Sequence, residues 1–127
     1  MNGAHVELDE VAALVGREDV VILDVRTREE YDGSSGAPCD PRQGHIPGAR
    51  NVNVLDLAAA ATAEEVRALV AAPPGAEIVA YCHSGSRSEV AAQILRAVGY
   101  PARNYLGSWH EWSRRANLPI EADEPLR

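Results

Sequence analysis

The chain has 127 residues, of which 46% are hydrophobic and 24% charged, a balance that suits one globular domain with a core needing neither metal nor disulfide. Its 12 basic and 19 acidic residues leave a net charge of −7, which argues against nonspecific nucleic-acid binding but permits a small pocket for a small anion. No apolar run approaches the roughly 20 residues of a membrane span, and the opening MNGAHVELDE lacks both regions of a secretory signal, so a cytoplasmic protein is expected.

In chain order, Val6–Leu8 predicts a short strand, and Asp9 caps a helix to about Val15 that Gly16 stops. Val20-Val21-Ile22-Leu23 is a continuous apolar run of the kind that forms a strand buried on both faces. Thr27 opens a short helix over Glu29–Asp32, and Gly33–Gly44 is a loop rich in Gly, Ser and Pro. Val52-Asn53-Val54 predicts a strand. Thr62-Ala63-Glu64-Glu65 has the pattern of a capping box, followed by the apolar stripe Val66, Leu69 and Val70. Ile78–Tyr81 is the next buried strand. A helix over Arg87–Val98 carries Val90, Ala91, Ile94, Leu95 and Val98 at helical spacing. Arg103–Tyr105 predicts a last strand and Gly107–Arg115 a last helix. Residues 5–117 are read as the domain and 118–127 as a loosely held acidic tail.

Strands alternating with helices imply an α/β domain with a mainly parallel sheet, whose crevice lies beyond the carboxyl ends of the strands. Beyond Tyr81 stands Cys82-His83-Ser84-Gly85-Ser86-Arg87-Ser88, leading straight into a helix. A thiol there faces unpaired backbone N–H groups and the positive end of the helix dipole, with the Arg87 guanidinium nearby. All three favour the thiolate. Gly85 supplies the tight geometry of a cradle, and Ser84, Ser86 and Ser88 supply hydroxyl donors. A thiolate inside an anion-binding nest suits attack either on phosphate or on a sulfane sulfur.

The Cys-x-x-Gly-x-Arg-Ser pattern after an apolar strand resembles the active-site loop of rhodanese domains, the sulfurtransferases. Three further segments agree, in the family's order: Leu23-Asp24-Val25-Arg26 with Glu29-Glu30-Tyr31, Gly44-His45-Ile46-Pro47-Gly48-Ala49, and Asn104-Tyr105-Leu106-Gly107-Ser108-Trp109. The resemblance implies a three-layer α/β/α fold around a five-stranded, mainly parallel sheet. It implies a two-step reaction in which Cys82 takes sulfur from a donor such as thiosulfate and yields it to cyanide or a thiol. It implies no metal and no organic cofactor. Small-molecule donor and acceptor, a sulfur-acceptor protein and a homodimer are the partners it suggests.

The spacing Cys-x4-Arg favours sulfur over phosphate or arsenate, because the Cys-x5-Arg loops of cysteine-dependent phosphatases and rhodanese-like arsenate reductases form a wider ring of amides. The alternative kept beside the enzyme is a sulfur-relay or persulfide-sensing module with low turnover on small donors. The loop between Tyr31 and Gly44 and the run Gly107–Trp112 resemble the catalytic halves of tandem thiosulfate sulfurtransferases. The loop lacks the Cys-Gly-x-Gly-Val-Thr pattern of mercaptopyruvate enzymes, which disfavours mercaptopyruvate. Glu30 stands about where some thiosulfate enzymes carry arginine, so Arg87 or Arg28 has to supply that charge.

The remaining candidates around the pocket are Asp24, Arg26, Arg28, His45 and Trp109. Asp24 and Arg26 read first as a buried ion pair pinning loops, His45 as the ring of a rigid turn, and Trp109 as a cover for the pocket. Cys39 reads as an incidental thiol of a polar loop, since loop position fixes no distance to Cys82. Two Cys and four His without short ligand spacing point away from zinc.

Overall fold

A computed structural model describes residues 4–122 of the chain. Among these residues, five strands and six helices follow one another as β1 (His5–Val6), α1 (Leu8–Leu14), β2 (Val20–Asp24), α2 (Arg28–Asp32), β3 (Arg50–Asn51), α3 (Val54–Ala59), α4 (Ala63–Val70), β4 (Glu77–Tyr81), α5 (Ser86–Ala97), β5 (Ala102–Tyr105) and α6 (Ser108–Trp112). The strands form one sheet in the order β1-β5-β4-β2-β3. All four pairings are parallel. β2 and β4 run in register from Val20 opposite Glu77 to Asp24 opposite Tyr81, so their carboxyl ends finish side by side. The chain leaves β2 toward the β3 edge and β4 toward β5. That reversal opens the crevice expected of a doubly wound sheet.

Side-chain alternation along the central strands feeds two layers. Val21, Leu23 and Ile78 pack with Leu57, Val66, Ala91 and Leu95 of α3, α4 and α5. Val20, Ile22, Val79 and Tyr81 pack with Val11, Trp109 and Trp112 of α1 and α6. Each such aliphatic or aromatic side chain contributes about 1.5–3 kcal/mol by leaving water. The two layers therefore hold the ends of β2 and β4 from both sides.

Several elements differ from the sequence reading. The third strand pairs only at Arg50–Asn51, opposite Leu23 and Asp24, and Val54 begins a helix instead. The Asn53 side chain accepts a hydrogen bond from the Leu55 amide at 2.9 Å, and this cap starts α3 where two valines suggested a strand. In α4 the Thr62 hydroxyl accepts from the Glu65 amide, but the Glu65 carboxylate reaches back one residue further, to the Ala61 amide. Leu69 and Val90, assigned to apolar stripes, are exposed at 40% and 47%. The segment after residue 117 is not loose as far as it is described. Leu118 and Ile120 pack against the second layer, and Glu121 forms an antiparallel bridge with His45. The rest of the expected tail, residues 123–127, lies outside the described residues.

Candidate active site

Cys82 leaves the end of β4, the central strand of the sheet, and α5 begins four residues later. The turn between them closes on the sulfur. Cys82 Sγ accepts hydrogen bonds from the Gly85 amide at 3.1 Å, the Ser88 amide at 3.4 Å and the Ser88 hydroxyl at 3.3 Å. Gly85 makes this possible with φ +97°, left-handed backbone that only glycine adopts without strain. A Cβ there would also lie 2.7 Å from the Leu106 carbonyl oxygen, so the loop is packed against the residue that follows β5.

Burial pushes the Cys82 thiol up, but the Ser88 hydroxyl and the amides of Ser88, Gly85 and Ser84 outweigh it and hold the thiol below its ordinary value. The cause is a set of hydroxyl and amide dipoles aimed at a forming negative charge.

Arg87, expected near the thiol, interacts with the Cys82 charge and at the same time pairs with an acid. Its guanidinium makes a two-pronged pair with Glu30, at 2.9 Å to Oε1 and 3.2 Å to Oε2. Burial alone would raise the Glu30 carboxyl; Arg87 and the Thr27 amide bring it down to about 2. Arg28, the other arginine considered for this charge, is exposed, with its guanidinium over the Tyr31 ring at 5.2 Å.

The other residues singled out from the sequence fall into the floor and walls. Asp24 and Arg26 are buried against each other, with Arg26 Nη2 2.7 Å from Asp24 Oδ2 and donating to the Gly44 carbonyl at 2.6 Å. The same guanidinium lies over the Trp109 and Tyr81 rings, at 5.1 and 5.7 Å. His45 is buried, stacked on Tyr31, with Nδ1 2.6 Å from the Tyr31 carbonyl oxygen. Trp109 is fully buried and does not cover a pocket. Its indole N–H donates to the Arg42 carbonyl and its backbone amide to the Cys82 carbonyl, so it supports the loop from beneath. Of the loop residues, Ser84 and Ser86 are exposed, whereas Ser88 is buried against the sulfur. His83 projects sideways, with Nε2 3.0 Å from Asp40 Oδ2.

Three supporting residues received no role from the sequence. The Ser108 hydroxyl accepts from the Cys82 amide at 3.0 Å and donates to the Tyr105 carbonyl; it does so from φ +55°, an uncommon conformation for serine. Asn104, buried within β5, donates to the Gly85 carbonyl at 3.1 Å. Asp40, from the 33–44 loop, meets His83, His110 and Arg114. An asparagine inside a predicted strand was the legible signal for the second; Ser108 and Asp40 carried none. Cys39, Asp40, His83 and His110 place their donor atoms within 4.8 Å of one another and form the one cluster among the described residues with the makings of a metal site.

Residues 7–115 match the model of the rhodanese-like domain, and the chain belongs to that family. It is 32% identical over 121 residues to the thiosulfate sulfurtransferase of Azotobacter vinelandii, covering 89% of this chain and 44% of that protein. It is 36% identical to a Thermus thermophilus protein named sulfur carrier protein TtuD, covering 81% of this chain and 41% of the other. A crystal structure described as a probable thiosulfate sulfurtransferase superposes with a TM-score of 0.80 at 41% identity, over 94% of this chain and 48% of that one. The chain thus spans less than half the length of these relatives.

Proposed function

We propose that the chain is a sulfurtransferase of the thiosulfate type, with Cys82 as nucleophile. The observation that carries this is the ring of Gly85 and Ser88 donors closed on Cys82 Sγ. In the first step the thiolate attacks the outer sulfur of thiosulfate. The S–S bond of the donor breaks, sulfite leaves with the electron pair, and Cys82 becomes a persulfide. In the second step cyanide, or a thiolate, attacks the terminal sulfur, and thiocyanate or a new persulfide leaves with Cys82 restored as thiolate. Both steps conserve charge and need no oxidant. The loop donors stabilise the anion at the start and end of each step, and stabilisation by fixed dipoles costs no reorganisation. A thiol on a partner protein is a further acceptor of the same chemistry. Two unpaired cysteines suit a reducing compartment such as the cytoplasm, and no helix among the described residues is long and apolar enough to cross a membrane.

The Glu30–Arg87 pair favours a second reading of the same chemistry. It leaves Arg87 neutralised where a sulfonate would dock, which weakens the hold on small anionic donors. The chain would then relay sulfur from polysulfide or a partner persulfide, a role consistent with the relative named as a sulfur carrier.

The test is thiocyanate formation from thiosulfate and cyanide, together with intact mass after exposure to thiosulfate or polysulfide. A one-sulfur adduct lost in Cys82→Ser supports sulfur transfer. Turnover on thiosulfate selects the first reading, and an adduct from polysulfide alone selects the second. Activity surviving in Cys82→Ser overturns both.

A further inference from the structure

Beside the catalytic loop, three segments distant in sequence meet at one point: the 33–44 loop brings Cys39 and Asp40, the active-site turn brings His83, and α6 brings His110. We propose that this cluster is a binding site for a divalent cation of the zinc class, held by Cys39 Sγ, an Asp40 carboxylate oxygen, His83 Nε2 and His110 Nδ1.

The distances suit it. A four-coordinate cation with bonds of about 2.0–2.3 Å needs donors roughly 3.3–3.8 Å apart. The Asp40 carboxylate stands among the other three donors: its Oδ1 lies 3.8 Å from Cys39 Sγ and 3.8 Å from His110 Nδ1, its Oδ2 lies 3.0 Å from His83 Nε2, and one ligand atom from each of the four residues falls within 4.8 Å of the others. Small side-chain rotations close the set, because Cys39 and His110 are exposed and free to turn. One thiolate, two imidazoles and one carboxylate make the donor set that zinc takes in preference to magnesium or calcium.

A second observation points to a ligand. The Asp40 side chain is fully buried, yet its Oδ2 accepts no hydrogen bond of acceptable geometry, although His83 Nε2 stands 3.0 Å away. A buried carboxylate oxygen without a donor is costly, and a coordinated cation would supply the missing partner. Arg114 bonds the other oxygen of this carboxylate: it donates to Asp40 Oδ1 at 2.8 Å, and to the His110 carbonyl at 2.6 Å and the Cys39 carbonyl at 2.8 Å, so it fixes the residues that carry three of the four ligands and leaves Oδ2 unpartnered. Outer hydrogen bonds of this kind are what orient metal ligands. Arg42 adds to the scaffold by tying the same loop to the Trp112, Ser113, Arg115 and Leu118 carbonyls. Binding would convert the Cys39 thiol to thiolate with release of one proton to buffer. It would also fix His83, the residue next to Cys82.

The experiment titrates Zn2+, and Co2+ as its spectroscopic substitute, into the whole chain and into Cys82→Ser. The second protein ensures that the catalytic thiol is not the ligand observed. The expected result is one equivalent bound in both proteins. With Co2+ it shows the visible bands of tetrahedral cobalt and a thiolate-to-cobalt charge-transfer band. Cys39→Ser should abolish the charge-transfer band, and His110→Gln should weaken Zn2+ binding at least about tenfold. Both positions are exposed, so folding is not at stake. Absence of stoichiometric binding, or binding lost in Cys82→Ser but kept in Cys39→Ser, would overturn the proposal.

Discussion

The segments that leave β2 and β4 start side by side and treat their buried polar groups in opposite ways. After β2, Asp24 and Arg26 answer each other. Each charge meets its opposite within hydrogen-bond distance, and the Gly44 carbonyl takes a further donor. After β4, Cys82 receives hydrogen bonds only from amides and a hydroxyl, while the arginine of its own loop is hydrogen-bonded to Glu30 and acts on the sulfur through space. A charge closed into a pair is a fastener. A sulfur hydrogen-bonded by N–H and O–H dipoles, and not closed into an ion pair, is favoured as an anion while keeping the lone pair with which it attacks. Adjacent strand ends thus give one structural and one chemical device, and the difference lies in whether the partner is a full charge or a set of dipoles.

The comparison breaks most visibly at its reactive half. Cys82→Ser should lower thiocyanate formation by roughly three orders of magnitude or more, as removal of a nucleophile does, and leave the fold intact, since the substitution keeps nearly the same shape. Circular dichroism and steady-state assay check both halves of that statement. The structural half should fail in the other direction. Arg26→Ala leaves Asp24 buried without its partner and should cost about 3–5 kcal/mol of folding free energy, read from the urea midpoint. The reactivity of the folded fraction should survive. A stable Arg26→Ala protein with dead chemistry would move Arg26 from the floor to the pocket.

A smaller change sharpens the dipole argument. Ser88→Ala removes the Oγ–H bond to the sulfur while leaving the Ser88 amide bond in place. A hydrogen bond to a charged group is worth ~1.5–3 kcal/mol, so the rate of thiolate alkylation by a small reagent at neutral pH should fall about tenfold or more. The pH profile should move upward, because the thiolate loses a donor and the thiol does not. An unchanged profile would place the stabilisation in the amides alone.

These devices were unequally legible in the sequence. Cys82, Gly85 and Ser88 fall within one short segment that runs into a helical pattern, so local geometry alone drew them together. The two buried strands were equally readable, since continuous apolar runs have few other uses in a chain of this kind. The segment 52–54 reads as a strand because valine favours strands, and a single asparagine cap starts a helix at Val54 instead. Arg87 stands in the first turn of α5, but its direction was not legible, for Glu30 lies far away in the chain and only folding brings the two together. The same reason hid Ser108 behind Cys82 and the meeting of Cys39, Asp40, His83 and His110. Spacing rules for metal ligands see neighbours within one segment, and these four come from three.

The smallest expected effect tests why Arg87 is paired with Glu30. Glu30 is held down to about 2 from an ordinary 4.5, so its pair with Arg87 stabilises the fold above about pH 4.5. That contribution fades as the pH falls from 4.5 toward 2, where the carboxylate takes a proton in the folded state too. Glu30→Gln removes it at every pH. The variant and the parent should therefore differ in urea midpoint at neutral pH and converge in strong acid. The same substitution frees the guanidinium for an incoming sulfonate. If the pair alone restrains donor binding, KM for thiosulfate should fall about two- to fivefold, the scale of a partly exposed ion pair, with kcat little changed. A rise in KM would mean instead that Glu30 holds Arg87 in the one position from which it can serve the donor. The arginine would then belong with the cradle of Cys82 rather than with the fasteners of β2.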